Sequence, residues 1–436
     1  MNRIEKALKA LGSFMLLAGA LALLPLSAGA QEAVTLEEAI ARALVRSPQM
    51  ASAEQSVDNA QLSHRSAWGT FLPSLSASSS GSLRSTQIFD SNTNRVVEGS
   101  SDSYSAGLAA SYTVFQGGRR FSEMNRANAD LSAATARRED QRYQVILQTK
   151  SLFFAALRQD DLLDVSRQRV AQAERTLELV RAQTRVGDAT LSDSLRARLD
   201  VANSEQTLLQ SETSLRAAQF ALGRQIGEGR PVVPVRPVSL EPTALGLTDA
   251  EIYLIAEEQS PSVIAAQEAT VAAAASVTSA KTVWLPTLSL SSGYSWANQN
   301  RSFGGGTTSW SLNLRANYPI FNGFQRESAI SRAQYTQRVS RLQHDDAVLA
   351  ARQEADAALW DLRTAERAIE IAQEADLVAR EDLRVVTERY RLSVATILDL
   401  VISQISAAAA AANVVVSRYD YLLARAALEA VLGREL

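Results

Sequence analysis

The sequence predicts a mainly α-helical chain with a membrane β-barrel component, in which long coiled-coil rods carry strands at one end and two internal repeats divide the length. Three observations predict it. Arg119 to Val186 and Gln325 to Leu392 contain no proline and place apolar and charged residues in helical rhythm. At 1.5 Å per residue each rod is about 100 Å long, more than a compact domain can bury. Landmarks recur at fixed spacing: Ser47-Pro48 with Ser260-Pro261, and Leu72-Pro73-Ser74-Leu75-Ser76 with Leu285-Pro286-Thr287-Leu288-Ser289, both offset by 213. Phe115 matches Phe321, Thr190 and Asp193 match Thr396 and Asp399, and Gly227 matches Gly433, all offset by 206. Between these landmarks the apolar period switches from helical to two.

In chain order, Arg3, Lys6 and Lys9 precede an uncharged run from Ala10 to Leu24, then Pro25 and Ala28-Gly29-Ala30. That is the layout of a secretory signal peptide cleaved after Ala30, too short in its apolar part for a membrane span. No later stretch reads as a transmembrane helix of the usual kind. There is no cysteine, which excludes disulfides, thiolate metal sites and lipid attachment at an N-terminal cysteine. Removing residues 1–30 takes away Arg3, Lys6, Lys9 and Glu5 and leaves 41 basic and 46 acidic residues, a net charge of −5. The basic residues are scattered through helices, which argues against a nucleic-acid partner.

The strands come next. Trp310, Leu312, Leu314, Ala316, Tyr318 and Ile320 alternate with Ser311, Asn313, Arg315, Asn317 and Pro319; Tyr104 to Val114 and Leu288 to Trp296, with Tyr294, behave likewise. The length, with one apolar face ending in aromatics, suits a tilted strand in an outer-membrane barrel. The lipid-facing candidates are Trp310, Leu312, Leu314, Tyr318, Ile320, Tyr294 and Trp296. The first strand, Pro73 to Leu83, is serine-rich, and the polar stretches Arg84 to Asp102 and Ala297 to Ser309 read as loops. Four strands close no barrel, and open edges cannot sit in lipid. Strands that span a membrane therefore require an oligomer, of two chains or of three.

Each rod carries two apolar tracks. Leu163, Val170 and Leu177 form one, and Val165, Leu179 and Val186 the other, with Gln172 as its gap. In the second rod, Ile369, Leu383 and Tyr390 (gap at Asp376) are matched by Ile371, Val378, Val385 and Leu392. Tracks offset by two residues point about 200° apart, so each rod touches a neighbour on both sides, as a stave does in a wall. After each rod a return helix begins, with Thr190 and Asp193 or Thr396 and Asp399 in capping-box spacing. Gly227 to Leu247 holds Pro231, Pro234, Pro237 and Pro242 and reads as an extended connector. The resulting division is a signal peptide at 1–30; a first repeat at 31–227, with short helices, a hairpin at about 73–115, a long helix at about 119–187 and a return helix at about 191–226; a proline-rich connector at 228–247; and a second repeat at 248–436, with short helices, a hairpin at about 286–321, a long helix at about 325–392 and a return helix at about 397–432.

These doubled landmarks resemble the TolC family of outer-membrane efflux and secretion channels, together with the turns Val114-Phe115-Gln116-Gly117-Gly118-Arg119 and Pro319-Ile320-Phe321-Asn322-Gly323 and the hairpin tips Arg185-Val186-Gly187 and Arg391-Leu392-Ser393. The resemblance implies a homotrimer with a twelve-stranded barrel in outer-membrane lipid and a twelve-helix tunnel across the periplasm. It implies a passive conduit opened at its periplasmic end rather than an enzyme, needing no cofactor. It also implies two protein partners: a periplasmic adaptor (membrane fusion) protein at the tips, and an inner-membrane ABC or proton-driven pump. Gate candidates carried over are Tyr390, Asp399 and its repeat counterpart Asp193. Ala395 stands where some members have a gate-locking arginine, Ile402 where some have a second aspartate, and Ser393 where the first repeat has Gly187. Asp399 would form a carboxylate ring in the assembled tunnel or cap its helix, two roles that are not exclusive. Arg185, Val186, Gly187, Arg391, Leu392 and Ser393 are adaptor-docking candidates, and the two arginines equally suit a helix C-terminus.

Other chemistry finds little support. His64 and His344 are isolated, and Gln116-Gly117-Gly118-Arg119 lacks the Lys-Ser/Thr of a phosphate loop. A competing reading is a periplasmic coiled-coil scaffold or adaptor whose alternating segments are soluble hairpins; a porin fits the long helices poorly. The cargo stays open between type I protein secretion, to which Arg418-Tyr419-Asp420-Tyr421-Leu422-Leu423 points, and multidrug efflux.

Overall fold

A computed structural model describes residues 33–90, 92, 94–237, 245–299 and 304–436; the signal peptide expected at 1–30 and Pro242 of the connector lie outside them. Strand β1 (Ala33–Val34) leads into α1 (Leu36–Arg46) and α2 (Pro48–Gly69). The hairpin β2 (Ser74–Asp90) and β3 (Arg95–Phe115) follows, then the rod α3 (Arg119–Val186) and its return α4 (Leu191–Gln225). Strand β4 (Val233–Pro234) pairs in parallel with β1. Beyond it come α5 (Asp249–Gln259), α6 (Pro261–Lys281), β5 (Thr287–Asn298), β6 (Thr307–Asn317), the rod α7 (Gln325–Arg391) and its return α8 (Ile397–Leu432).

Local chemistry sets the breaks. Ser47 accepts from the Met50 amide at the start of α2, and Pro48 occupies the first turn, where its missing N–H costs nothing. Gly187, at φ 94°, ends α3 with its amide on the Gln183 carbonyl. The return helices start from complete capping boxes at Thr190/Asp193 and Thr396/Asp399. The turn at Gln116-Gly117-Gly118 is tight: Gly117 has φ 64°, and a Cβ there would lie 2.9 Å from the Leu285 side chain.

The two rods run side by side through two tiers. Toward the strands, α6 packs between α3 and α7 while α2 flanks α3. Away from the strands, α8 lies between the rods while α4 flanks α3. One core joins Phe153, Phe154 and Leu157 of α3 to Leu222 of α4, Ala39 and Ala43 of α1, Val34 and Tyr419. A second joins Ile252 of α5 to Leu359 and Leu362 of α7 and Leu428 of α8.

Four sequence expectations change. Arg84 to Asp102 is not a loop: β2 and β3 pair through it as far as Asp90↔Arg95, with Phe89 opposite Val96 continuing the strand chemistry. The second loop is shorter than Ala297 to Ser309, since Ala297 pairs with Thr307. The strand expected to reach Ile320 stops at Asn317; Pro319 has no N–H for a ladder, and Arg326 takes the carbonyls of Pro319 and Ile320 at 2.8 and 2.9 Å. Finally, α8 is long and apolar enough to cross a membrane. Serine, glutamine and asparagine interrupt its apolar run, but Ala407–Ala412 and Val414–Val416 outweigh them. In the fold α8 packs between two rods with Gln404, Ala407 and Ala410 buried.

Candidate functional site

The barrel end is one antiparallel sheet in the order β2-β3-β5-β6. Register fixes its faces, because directly opposed residues share a side. Leu108 opposes Tyr294, which opposes Trp310; Tyr112 opposes Leu290, which opposes Leu314. One face therefore gathers Leu75, Ala77, Leu108, Tyr294, Trp296, Trp310, Leu312 and Leu314, and Trp310 is 76 % exposed. The opposite face is mostly serine and threonine, with hydroxyls bonded across strands as in Ser80 to Ser105 at 2.8 Å and Ser295 to Ser309 at 2.9 Å. Tyr104, Tyr294, Trp296 and Trp310 cluster at the level of the outer ends of β5 and β6, beyond which β2 and β3 continue, Trp296 donating its indole N–H to the Gly305 carbonyl at 3.0 Å. Gly81 leaves room for the ring of Tyr104 across the ladder. Of the lipid-facing candidates, five share the apolar sheet face; Tyr318 and Ile320 lie beyond the strand at its helical end.

Where strands become rods, two arginines that sequence reasoning missed hold the joints. Arg120 sits 4.9 Å from the Tyr112 ring centroid and 5.8 Å from that of Phe71; Arg326 sits 4.1 Å from that of Trp284. Both are buried. They obey the 206 spacing, and Phe71 and Trp284 the 213 spacing, so the repeat arithmetic already contained the signal.

At the far end, the two hairpin tips share one left-handed backbone position but fill it differently, with Gly187 at φ 94° in the first and Ser393 at φ 56° in the second. Arg185, Val186, Gly187, Arg391, Leu392 and Ser393 lie at the tips, and Arg391 pairs with Glu388 at 3.1 Å. Asp399 Oδ2 accepts from the Thr396 amide at 2.9 Å and from its hydroxyl at 2.7 Å. These bonds, with Arg389 nearby, hold its carboxyl below the usual aspartate range. Asp193 is held down the same way by Thr190, with help from Arg196.

Tyr390 lies elsewhere than the tip surface. It is 6 % exposed and packs with Leu177, Val180, Ala197, Ile397 and Leu400, a cluster that ties the first hairpin to the second. Its hydroxyl is buried without a hydrogen-bond partner among the described residues, and burial, then the charge of Asp193, push its pKa up. Further along the same seam is a polar layer with no sequence signature. Arg169 meets Asp200 at 2.5 Å and Gln404 at 3.2 Å, and Gln404 donates to Thr176 at 2.7 Å. This layer joins α3, α4 and α8. In the segment Arg418 to Leu423 the two tyrosines are core packing, Tyr419 and Tyr421 being buried and Tyr419 donating to Asp161 at 2.8 Å, while Arg418 and Asp420 are exposed.

The apolar tracks divide in α7 only: Ile369 and Tyr390 are buried within the chain, whereas Ile371, Val378, Val385 and Leu392 are exposed, as are Leu195, Leu199 and Leu209 of α4 at the opposite edge. In α3, flanked within the chain by α4 and α8, Leu163 and Leu177 are buried, Val165, Val170 and Leu179 are half-buried, and only Val186 of the two tracks is exposed.

Comparisons agree with this architecture. The family model described as outer membrane efflux protein matches residues 39–228 and 253–434. The chain is 22% identical over 402 residues, 91% of its length and 82% of the relative's, to the probable efflux pump outer membrane protein TtgC of Pseudomonas putida. The outer membrane protein VceC of Vibrio cholerae superposes with a TM-score of 0.77 at 20% identity, covering 92% of this chain and 96% of that one. The MtrE outer membrane channel of Neisseria gonorrhoeae, solved in an open state, gives 0.76 at 22% identity, with 92% and 89% covered.

Proposed function

Because the chain belongs to the outer membrane efflux protein family, and so resides in the outer membrane with a long periplasmic extension, we propose that three copies assemble into one exit duct. Each would give four strands to a twelve-stranded barrel and four helices per tier to a tunnel, with the two halves of the chain as structural repeats. The observation that carries this reading is the uncovered pair of edges: a sheet with β2 and β6 unpaired on their outer sides, and helix edges at α4 and α7 lined by exposed aliphatics. Open strand edges and apolar tracks both call for a neighbour. Successive copies packing α7 of one against α4 of the next cover all of them at once when the ring closes.

In this reading the duct is passive. An adaptor protein seats at the hairpin tips, Arg185-Val186-Gly187 and Arg391-Leu392-Ser393, and an inner-membrane pump supplies the energy. Asp399 and Asp193 border the periplasmic mouth, and Tyr390 fixes one hairpin against the other. Small-molecule efflux is favoured over type I protein secretion, because TtgC is named for an efflux pump and the tyrosines of the segment that pointed to secretion, Tyr419 and Tyr421, are spent on packing. A periplasmic scaffold is disfavoured by a sheet with one largely apolar, exposed face.

The test is cross-linking between Val378→Cys and Leu199→Cys in a chain otherwise free of cysteine, followed by dye retention in a strain lacking the chain. A trimeric ladder in outer-membrane fractions and raised dye retention, reversed by complementation, are expected. Release of the protein by salt or alkali, or a ladder that stops at two, overturns the reading.

A further inference from the structure

The barrel's polar face is nearly free of charge. Over the stretch inward of Tyr104 it presents Ser74 to Ser82 from β2, Ser103 to Thr113 from β3, Thr287 to Ala297 from β5 and Thr307 to Asn317 from β6, taken at alternate positions. In those positions there is a single ionic side chain, Arg315. Arg84 on the same face lies farther out, opposite Ser101 and beyond the aromatic cluster. Arg315 opposes Ser289, two residues from the inner end of β6. It is exposed, and it makes no ion pair among the described residues. A hydroxyl wall carries no charge with which to neutralise a guanidinium. Isolated arginines on a strand are usually paired or at the water's edge; here the apolar face points to lipid and leaves Arg315 only the lumen.

We propose that Arg315, repeated in each subunit, forms a ring of three guanidinium groups at the inner mouth of the barrel that selects for anionic cargo, such as carboxylates, sulfates and phosphates. The inference rests on the trimeric duct proposed above. A ring of like charges in a pore with low-dielectric walls focuses its field along the axis, and a guanidinium fork binds oxyanions through paired N–H donors. The periplasmic mouth, bordered by Asp193 and Asp399, carries the opposite sign. An anion leaving the tunnel therefore meets its first fixed positive charges in the barrel at Arg315, and the serine wall beyond holds nothing to trap it.

The experiment places a reporter thiol in the full-length protein, which has no cysteine of its own. Asn313→Cys puts it on the polar face about 7 Å along the strand from Arg315, and Leu312→Cys puts it on the apolar face. Outer-membrane vesicles are treated at low salt with a sulfonate-bearing and with a trimethylammonium-bearing methanethiosulfonate. In the Asn313→Cys protein, the ratio of the sulfonate rate to the ammonium rate is expected to fall about fivefold when Arg315→Gln is added, further with Arg315→Glu, and to converge in molar salt. An unchanged ratio overturns the ring while leaving the duct standing, provided the Leu312→Cys protein stays unreactive to both charged reagents. Equal reactivity of the two single-thiol proteins removes the lipid and lumen assignment itself, and the ring with it.

Discussion

Tyr390 separates two roles that one residue can play at a gate. If its hydroxyl were the latch, Tyr390→Phe would release the second hairpin. The packing implies the opposite. The ring is buried against Leu177, Val180, Ala197, Ile397 and Leu400, while the hydroxyl has no partner among the described residues. A buried unpaired hydroxyl costs about 1–3 kcal/mol, so its removal is expected to stabilise the hairpin seam by about 1 kcal/mol and leave the tunnel closed. Tyr390→Ala instead leaves a cavity worth about 3–5 kcal/mol and is expected to part the two hairpins. Hydrogen exchange at the amides of 386–400 reads the first effect as slower opening, by about fivefold. Entry of a large antibiotic that intact outer membrane excludes reads the second. Faster exchange and antibiotic entry in Tyr390→Phe would refute this reasoning and place a hydrogen-bond acceptor on another subunit opposite Oη.

Three further outcomes follow from the geometry. The folded-state pKa of Asp399 lies below its unfolded value, so its cap contribution is complete above about pH 4 and is lost as pH falls through the lowered folded value; exchange of the Asp399 amide should accelerate only in that acid window. Gly187→Ala meets no atom within 4 Å, so its cost is that of a left-handed alanine, about 1 kcal/mol, read as faster exchange of the Asp188 amide that bonds Gln183 at 2.9 Å. Leu312→Arg, midway along β6 on the apolar sheet face, should cost about 2–4 kcal/mol per chain and lower the yield of folded barrel, whereas Asn313→Arg on the polar face should cost close to nothing; equal losses would contradict the face assignment.

The rods and caps were legible because they depend on chemistry local in sequence. A proline-free amphipathic run, a Ser-Pro start and a Thr-x-x-Asp box each act within a turn or two, and the structure places helix ends at Val186, Thr190 and Thr396 accordingly. The long outer hairpin was illegible because Arg84 to Asp102 is polar on average; its strand character resides in pairs such as Phe89↔Val96, which become partners only after the turn closes. Arg169, Asp200 and Gln404 were silent for a related reason. They stand on three helices and are ordinary one at a time, and only the packing of α3, α4 and α8 makes them a buried layer. Tyr390 was legible both by resemblance and on the apolar track of Ile369 and Leu383, but its buried, unpartnered hydroxyl required the fold.

The choice between cap and gate for Asp399 narrows once its two oxygens are considered separately. Oδ2 takes both bonds from Thr396, so the cap uses one oxygen and leaves Oδ1 outside those bonds. The same bonds hold the carboxyl's pKa below the usual aspartate value. A cap built in this way therefore supplies what a carboxylate ring needs, a fixed orientation and a persistent charge, and the roles do not compete. The substitution that tells them apart is Thr396→Val, which removes the hydroxyl but keeps Asp399. It should loosen the helix start while preserving cation preference at the periplasmic mouth, whereas Asp399→Asn should abolish that preference and retain part of the cap through its amide oxygen. If both variants lose selectivity equally, orientation by Thr396 matters as much as the charge.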